Sequence, residues 1–454
     1  MPRKQQFEVD GVRHATINGH RFHLRWTDPG KDNFLWIDGK QPPLILDQTA
    51  ADFVAHLIDA MWLFQTGAGD NSAQVIRHVV DKMYDCYGRS SIIRKKRVTR
   101  ARIEADFQRI FGMLMAVADS GCPYESGLDS KEINYGVWAA PARMDLAVTY
   151  RCNLQCSKCY LGERSSPDMP FESWLEVYKR LWEIGISQVV FTGGEPLLRP
   201  DIVQLVSEAD EFVTGLITNG TELARLAQPL RDASLDYVQV TIESAFPTVH
   251  DLMTQTPGSL MKTMAGIRAA VECGLQVVTN TTLTKENADG FCRLLRQLEG
   301  LGVKNVACNT LICSGRGTYH RMQNGLSDAE LLAVIKPALA VARDLGQNLQ
   351  WYSPTCYNQG VNPIELGFGV KACSAAAHNM MVGPDGEVFP CQSWPKSVGN
   401  ILLNSWPAIW EHPTCVALRN HEMAPAACRD CEHLSVCGGG CPLDKDARLG
   451  EVKS

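Results

Sequence analysis

Three cysteines occupy one short run, Cys152-Asn-Leu-Gln-Cys156-Ser-Lys-Cys159-Tyr160. Three thiolates at this spacing suit three corners of a cubane iron–sulfur cluster, which ordinarily takes four cysteine ligands. Stopping at three leaves one iron free to bind something that reacts. A structural zinc site is the competing reading of any Cys-x-x-Cys. Roughly thirty residues on, Val190-Phe191-Thr192-Gly193-Gly194-Glu195-Pro196 reads as an apolar strand ending in a glycine pair and a carboxylate.

The rest of the chain sets the frame for these runs. Its 454 residues exceed one ordinary domain, so two or three are expected. A net charge of −6 argues against a general nucleic-acid binder. No run of about eighteen apolar residues exists, so no membrane span is expected. The start, Met-Pro-Arg-Lys-Gln-Gln, lacks the apolar core of a signal peptide, and the cytoplasm is the expected location. Seventeen cysteines are many for that compartment, where disulfides are rare and clustered cysteines read as metal ligands. Cys86, Cys122, Cys273, Cys292, Cys308 and Cys313 are scattered and read as small buried hydrophobes.

Pattern divides the chain at 1–125, 126–345 and 346–454. In the first part, strands are expected at 22–26, 34–37 and 44–46, with turns at Asn18-Gly19 and Asp38-Gly39. Three helices follow, from Asp47 as a cap, from about Ser72 and from about Thr99. In the middle part, strands at 144–148, 188–191, 216–220, 237–241, 276–280 and 305–308 alternate with helical stretches, which reads as a parallel sheet with crossover helices. The cysteine and glycine runs fall at C-terminal strand ends, where parallel barrels carry their chemistry. The last part holds a second constellation. Cys373 is followed by twelve residues, Gly386, four residues and Cys391, and later by Cys428, Cys431, Cys437 and Cys441.

Together the cysteine loop and the Gly-Gly-Glu-Pro run resemble the radical S-adenosylmethionine (SAM) enzymes. That resemblance implies an α/β fold, a partial (β/α)6 TIM-like barrel. It implies that Cys152, Cys156 and Cys159 ligate a catalytic [4Fe–4S] cluster whose open iron chelates SAM. Thr192, Gly193, Gly194 and Glu195 would hold the methionyl end, with Glu195 accepting from the ammonium. Tyr160 stands where the family has an aromatic near the adenine, and Thr241 and Glu243 where it contacts the ribose. Many relatives have Asp at the position of Glu243 and Arg where this chain has Thr254; Arg316 is the candidate replacement for that Arg. The implied chemistry is electron transfer into the sulfonium, giving a 5′-deoxyadenosyl radical that takes hydrogen from an unactivated carbon.

The second constellation resembles the SPASM extension of peptide-modifying members of that family. It implies one auxiliary iron–sulfur cluster on Cys373, Cys391 and Cys441, and another on Cys428, Cys431 and Cys437. The family's seventh, downstream cysteine has no counterpart after Cys441. Cys356 is expected to complete the first cluster. For the second, Cys415, Asp430, Asp444, Asp446 or solvent stay open.

Three strands followed by three helices in the first part resemble a winged-helix domain, in particular the peptide-recognition element of maturases of ribosomally made peptides. It implies that a precursor's leader adds as a strand at an edge around 34–46, with the last helix as a groove wall. The basic run Arg94-Lys95-Lys96-Arg97, with Arg100 and Arg102, either attracts an acidic leader or is a solvated loop; DNA binding is a third reading. The expected function is a radical SAM/SPASM oxidoreductase that crosslinks a precursor peptide, most simply through a thioether, with ferredoxin or flavodoxin as reductant. Epimerisation, carbon–carbon crosslinking and backbone excision compete on the same scaffold. So does maturation of a protein enzyme or of a quinone cofactor, as in sulfatase maturases. No nucleic-acid or membrane partner is expected.

Overall fold

The computed structural model describes residues 11–26, 33–37, 44–64, 72–88, 98–120, 140–357 and 360–444. The Asp38-Gly39 turn, the 94–97 basic run, Cys122 and Asp446 lie outside them. Two compact units result. One comprises Met1–Asn134 with Leu181–Ser187 and Glu211–Val213, and the other the remainder.

The first unit is built on a four-stranded antiparallel sheet in sequential order, β1 (Gly11–Ile17), β2 (His20–Trp26), β3 (Asn33–Ile37) and β4 (Leu44–Leu46). Asn18 and Gly19 both have positive φ, 52° and 84°, the left-handed pair that a tight hairpin between right-twisted strands requires. The sequence signalled this turn but not β1. A charged side chain, Arg13, sits on the strand and breaks the apolar alternation. It is buried because its Nη1 meets Asp59 Oδ2 at 3.1 Å. The expected free edge needs correcting in part. Strand β3 pairs with both β2 and β4, so the edges of this sheet are β1 and β4.

Three helices cover the sheet, Gln48–Phe64, Ser72–Met83 and Arg100–Ser120. Asp47 caps the first, its Oδ1 accepting from the Ala50 N–H at 2.7 Å. Phe22, Leu24, Leu35 and Ile37 of the sheet form one core with Phe53, Leu57, Val79 and Phe107 of the helices. Burial of this apolar surface, at about 25 cal/mol per Å², is what holds strands this short in place.

The second unit carries a ten-stranded sheet. Its strands are β5 (Arg143–Thr149), β6 (Gln188–Gly193), β7 (Val213–Thr218), β8 (Tyr237–Thr241), β9 (Gln276–Leu283), β10 (Asn305–Thr310), β11 (Asn348–Trp351), β12 (Asn379–Val382), β13 (Glu387–Phe389) and β14 (Gly399–Asn400). The spatial order is β11-β10-β9-β8-β7-β6-β5-β12-β13-β14. Strands β5 to β10 are the six expected units, in sequential order. Strand β11 extends them in parallel beside β10, and β12 pairs in parallel with β5. The cysteine-rich C-terminal region is thereby stitched to the barrel as a β12–β14 antiparallel meander. Buried on both faces, β5 and β6 read as near-continuous apolar runs. Among the described residues no helix is long and apolar enough to cross a membrane.

Candidate functional site

Strand β5 ends at Thr149 and delivers the loop that holds Cys152, Cys156 and Cys159. The glycine pair at the end of β6 packs against the start of this loop. Gly194 N–H donates to Thr149 O at 2.9 Å, and Glu195 N–H to Arg151 O at 2.8 Å. At Gly193, with φ +133°, a Cβ would lie 2.0 Å from Thr149 O; at Gly194 it would lie 2.4 Å from Arg151 O. Both positions therefore require glycine because one backbone lies directly on another.

Two further elements grip the loop. Gln155 and Ser157 donate their N–H groups to Thr254 O and Met253 O, at 3.1 and 2.9 Å, on the helix Pro247–Thr254. Arg316, at the start of the helix Arg316–Asn324, donates its N–H to Cys159 O at 2.9 Å and its Nε to Cys156 O at 3.0 Å. A Cβ on Gly315 would meet Cys159 O at 2.6 Å. So the Ser314-Gly315-Arg316-Gly317 run shapes the cysteine loop directly. Thr254 turns its hydroxyl onto His250 O and Ser259 Oγ, at 3.0 and 2.7 Å, and serves the helix end.

Burial pushes the Cys156 thiol up to about 12, with Glu243 adding to it, and raises that of Cys152. Such thiols stay protonated at neutral pH unless a metal centre replaces the proton. Among the described residues no three side chains converge as the ligands of one metal ion would.

Glu195 is fully buried. Its Oε1 accepts from Leu197 N–H at 3.0 Å and Thr218 Oγ1 at 2.7 Å, and its Oε2 from Asn219 N–H at 2.8 Å. Burial raises it to about 7 in spite of these donors. The side chain ties the end of β6 to the turn after β7, where the resemblance implied an ammonium contact. Glu243, at the end of β8, is ion-paired to Lys158 Nζ at 2.7 Å. Its backbone N–H donates to His250 Nδ1 at 3.1 Å. Glu243 Oε2 and His250 Nε2 are buried without a hydrogen-bond partner among the described residues. Unsatisfied polar atoms of this kind are costly, and here they mark where a polar ligand would be met. Thr241 is half-buried at the end of the same strand and pairs in register with Asn280.

Tyr160 donates to Gln392 Oε1 at 2.9 Å. Gln392 Nε2 donates to Asp145 Oδ2 at 2.7 Å, and Arg143 Nε to Asp145 Oδ1 at 2.6 Å. Gln392 follows Cys391, so the chain of bonds runs from the first cysteine loop to the second constellation. Sequence reading missed Lys158, Gln392 and Asp145. A lone carboxylate in the Met144-Asp-Leu-Ala strand was the available signal.

The remaining cysteines form two sets. Cys441 senses Cys373, Cys391 and Asp444, and Cys391 senses Cys373; burial raises all three thiols, Cys391 to about 12. Cys428, raised to about 11, senses Cys356, Cys437 and Cys431. Cys356 was expected with the first set and is instead beside the second. The reason is its loop. Tyr357 places its ring 6.1 Å from that of His433, and its hydroxyl accepts from Lys371 N–H at 2.9 Å. Asp444 lies with the first set, and Cys415 stands apart, facing Arg419 and Glu411.

Residues 146–298 match the radical SAM superfamily, and residues 373–432 match SPASM, an iron–sulfur cluster-binding domain. The chain carries a radical SAM domain and a SPASM domain. This radical SAM/SPASM enzyme is 25% identical over 318 residues to the PqqA peptide cyclase of Granulibacter bethesdensis, across 67% of its own length and 83% of the relative's. The crystal structure of Streptococcus suis SuiB bound to precursor peptide SuiA matches with TM-score 0.60 and 15% identity, over 93% of this chain and 94% of that one. The structure of native anSMEcpe with bound AdoMet matches with TM-score 0.54 and 18% identity, over 67% and 90%. At these identities the structures share the fold. The cofactors of the radical SAM/SPASM enzyme are SAM, a [4Fe–4S] cluster and auxiliary iron–sulfur.

Proposed function

We propose that this enzyme modifies a ribosomally synthesised precursor peptide and forms a crosslink in it, with a thioether as the first choice of bond. The observation that carries the reading is the clamped three-cysteine loop on the same body as two further cysteine sets. The named relatives support the substrate class. One is a cyclase of the PqqA peptide, and another was crystallised with its precursor peptide. The SuiB match covers nearly the whole chain, whereas the anSMEcpe match covers two thirds, which favours a precursor-peptide reading over the sulfatase-maturase-like alternative.

Cys152, Cys156 and Cys159 hold the catalytic cluster. When bound, the cluster and SAM supply a 5′-deoxyadenosyl radical that takes hydrogen from an unactivated carbon. Gly193 and Gly194 let the backbone of 149–151 approach and so fix the first ligand. Arg316 fixes the carbonyls of Cys156 and Cys159, and its guanidinium is the group that would meet the SAM carboxylate. Glu243 and Thr241 offer oxygens for hydroxyl groups, and Tyr160 offers its ring to the adenine. Cys373, Cys391 and Cys441, and separately Cys428, Cys431 and Cys437, hold auxiliary clusters that can accept the electron a closing crosslink must lose.

The first unit is the leader-recognition domain in this reading. A leader strand would add to the free edge of β4 or of β1, with backbone hydrogen bonds giving affinity. A ferredoxin or flavodoxin would supply the electron.

Anaerobic co-expression with the short peptide encoded beside its gene tests the proposal. Mass spectrometry is expected to show the peptide lighter by two hydrogens, with 5′-deoxyadenosine formed. An unmodified peptide and intact SAM would overturn it.

A further inference from the structure

We infer that Cys356 supplies the fourth protein thiolate of the auxiliary site formed by Cys428, Cys431 and Cys437. The inference rests on the SPASM domain holding iron–sulfur clusters. The match to that domain begins at residue 373, so Cys356 lies outside it. In the sequence that set is one ligand short, and its missing member would be sought downstream. The fold supplies one from upstream.

Several contacts converge on this assignment. The ring of Tyr357, next to Cys356, lies 6.1 Å from that of His433, in the turn between Cys431 and Cys437, and among the neighbouring thiols Cys428 senses Cys356 first. Cys356, Cys428 and Cys437 are 4%, 5% and 2% exposed, so all three thiols are enclosed. None of the four is in a disulfide. The local backbone holds them there. His433 N–H donates to Cys431 Sγ at 3.4 Å, and Cys437 N–H donates to His433 O at 2.9 Å. Tyr357, next to Cys356, packs its ring on His433, and Thr355 N–H donates to Lys371 O at 3.0 Å. The segment on both sides of Cys356 is therefore pinned before any cluster is bound. Cubane clusters ordinarily take four thiolates. Cys415 does not compete, because it faces Arg419 and Glu411.

The test uses the full chain with Cys152, Cys156 and Cys159 replaced by alanine, purified without oxygen, so that only auxiliary iron is counted. Iron and sulfide analysis and electron paramagnetic resonance of the reduced protein are the readouts. Cys356→Ala is expected to remove or reshape the same resonance that Cys431→Ala affects, with a fall of up to about four irons per chain. The resonance that Cys391→Ala affects is expected to survive. Cys356→Ser, which keeps the size of the side chain, is expected to shift that resonance rather than remove it. Unchanged iron and spectra in both Cys356 variants would overturn the inference, as would loss of the Cys391-dependent resonance. A parent protein without auxiliary iron would instead overturn the cluster reading beneath it.

Discussion

Lys158 Nζ lies 2.7 Å from Glu243 Oε1, and the two side chains are only 9% and 3% exposed. Lys158 stands between Cys156 and Cys159, so this ion pair fastens the ligand loop to the end of β8. Removing one partner of a buried pair leaves an uncompensated charge and costs about 3–5 kcal/mol. Lys158→Met is therefore expected to lower the denaturation midpoint clearly and to weaken retention of loop iron. Lys158→Met combined with Glu243→Met is expected to recover much of the stability, because no charge is then stranded. Denaturant titration of the four proteins gives the coupling. Additive single effects would refute a direct pair.

The glycine turn yields a second expectation. Gly194→Ala would force a Cβ to 2.4 Å from Arg151 O, where only backbone movement can relieve it. That movement displaces the residue preceding Cys152. Folded protein with sharply reduced iron in the catalytic loop is the expected outcome, read by iron analysis after anaerobic reconstitution. Gly346→Ala provides a comparison, since its Cβ would meet nothing within 4 Å and only its φ of +63° is strained. If both variants load iron equally, close backbone approach is not what the motif's glycine provides.

Gln392 bridges the Tyr160 hydroxyl and the Asp145 carboxylate, two groups that do not meet each other directly. Gln392→Leu takes a partner from both, whereas Tyr160→Phe leaves one amide oxygen short of a donor. Stranding a buried polar group costs about 1–3 kcal/mol. Gln392→Leu is thus expected to destabilise more than Tyr160→Phe, by at least about 1 kcal/mol in chemical denaturation. Equal losses would show that Asp145 is satisfied by Arg143 alone.

These pairings explain where the sequence could be read and where it stopped. The six barrel strands were visible because each is an apolar run bounded by turn residues. Strands β11 to β14 were not, since two to four residues carry no periodicity. Cysteine sets with short covalent spacing announced themselves. Gln392 and Asp145 are 247 residues apart, and no local pattern brings them together. Cys356 shows the same limit. The ring of its neighbour Tyr357 lies 6.1 Å from that of His433, between Cys431 and Cys437, a contact that no local pattern announces.

His378 links the fold to pH. Enclosure, and after it the Arg143 charge, pulls this imidazole down to about 4, and its carbonyl accepts from Arg143 N–H at 3.0 Å. The sign follows from proton counts. Between about 6.5 and 4 the unfolded chain binds a proton that the folded chain refuses, so stability falls as the pH drops through that window. Above about 6.5 the group contributes no slope. The full effect of a shift this size approaches about 3 kcal/mol. His378→Gln, with no titrating ring, is expected to lose stability less steeply between pH 6.5 and 4 than the unaltered protein. Urea midpoints measured across that range decide it. Parallel pH profiles would mean that the ring takes its proton in the folded state at an ordinary pH.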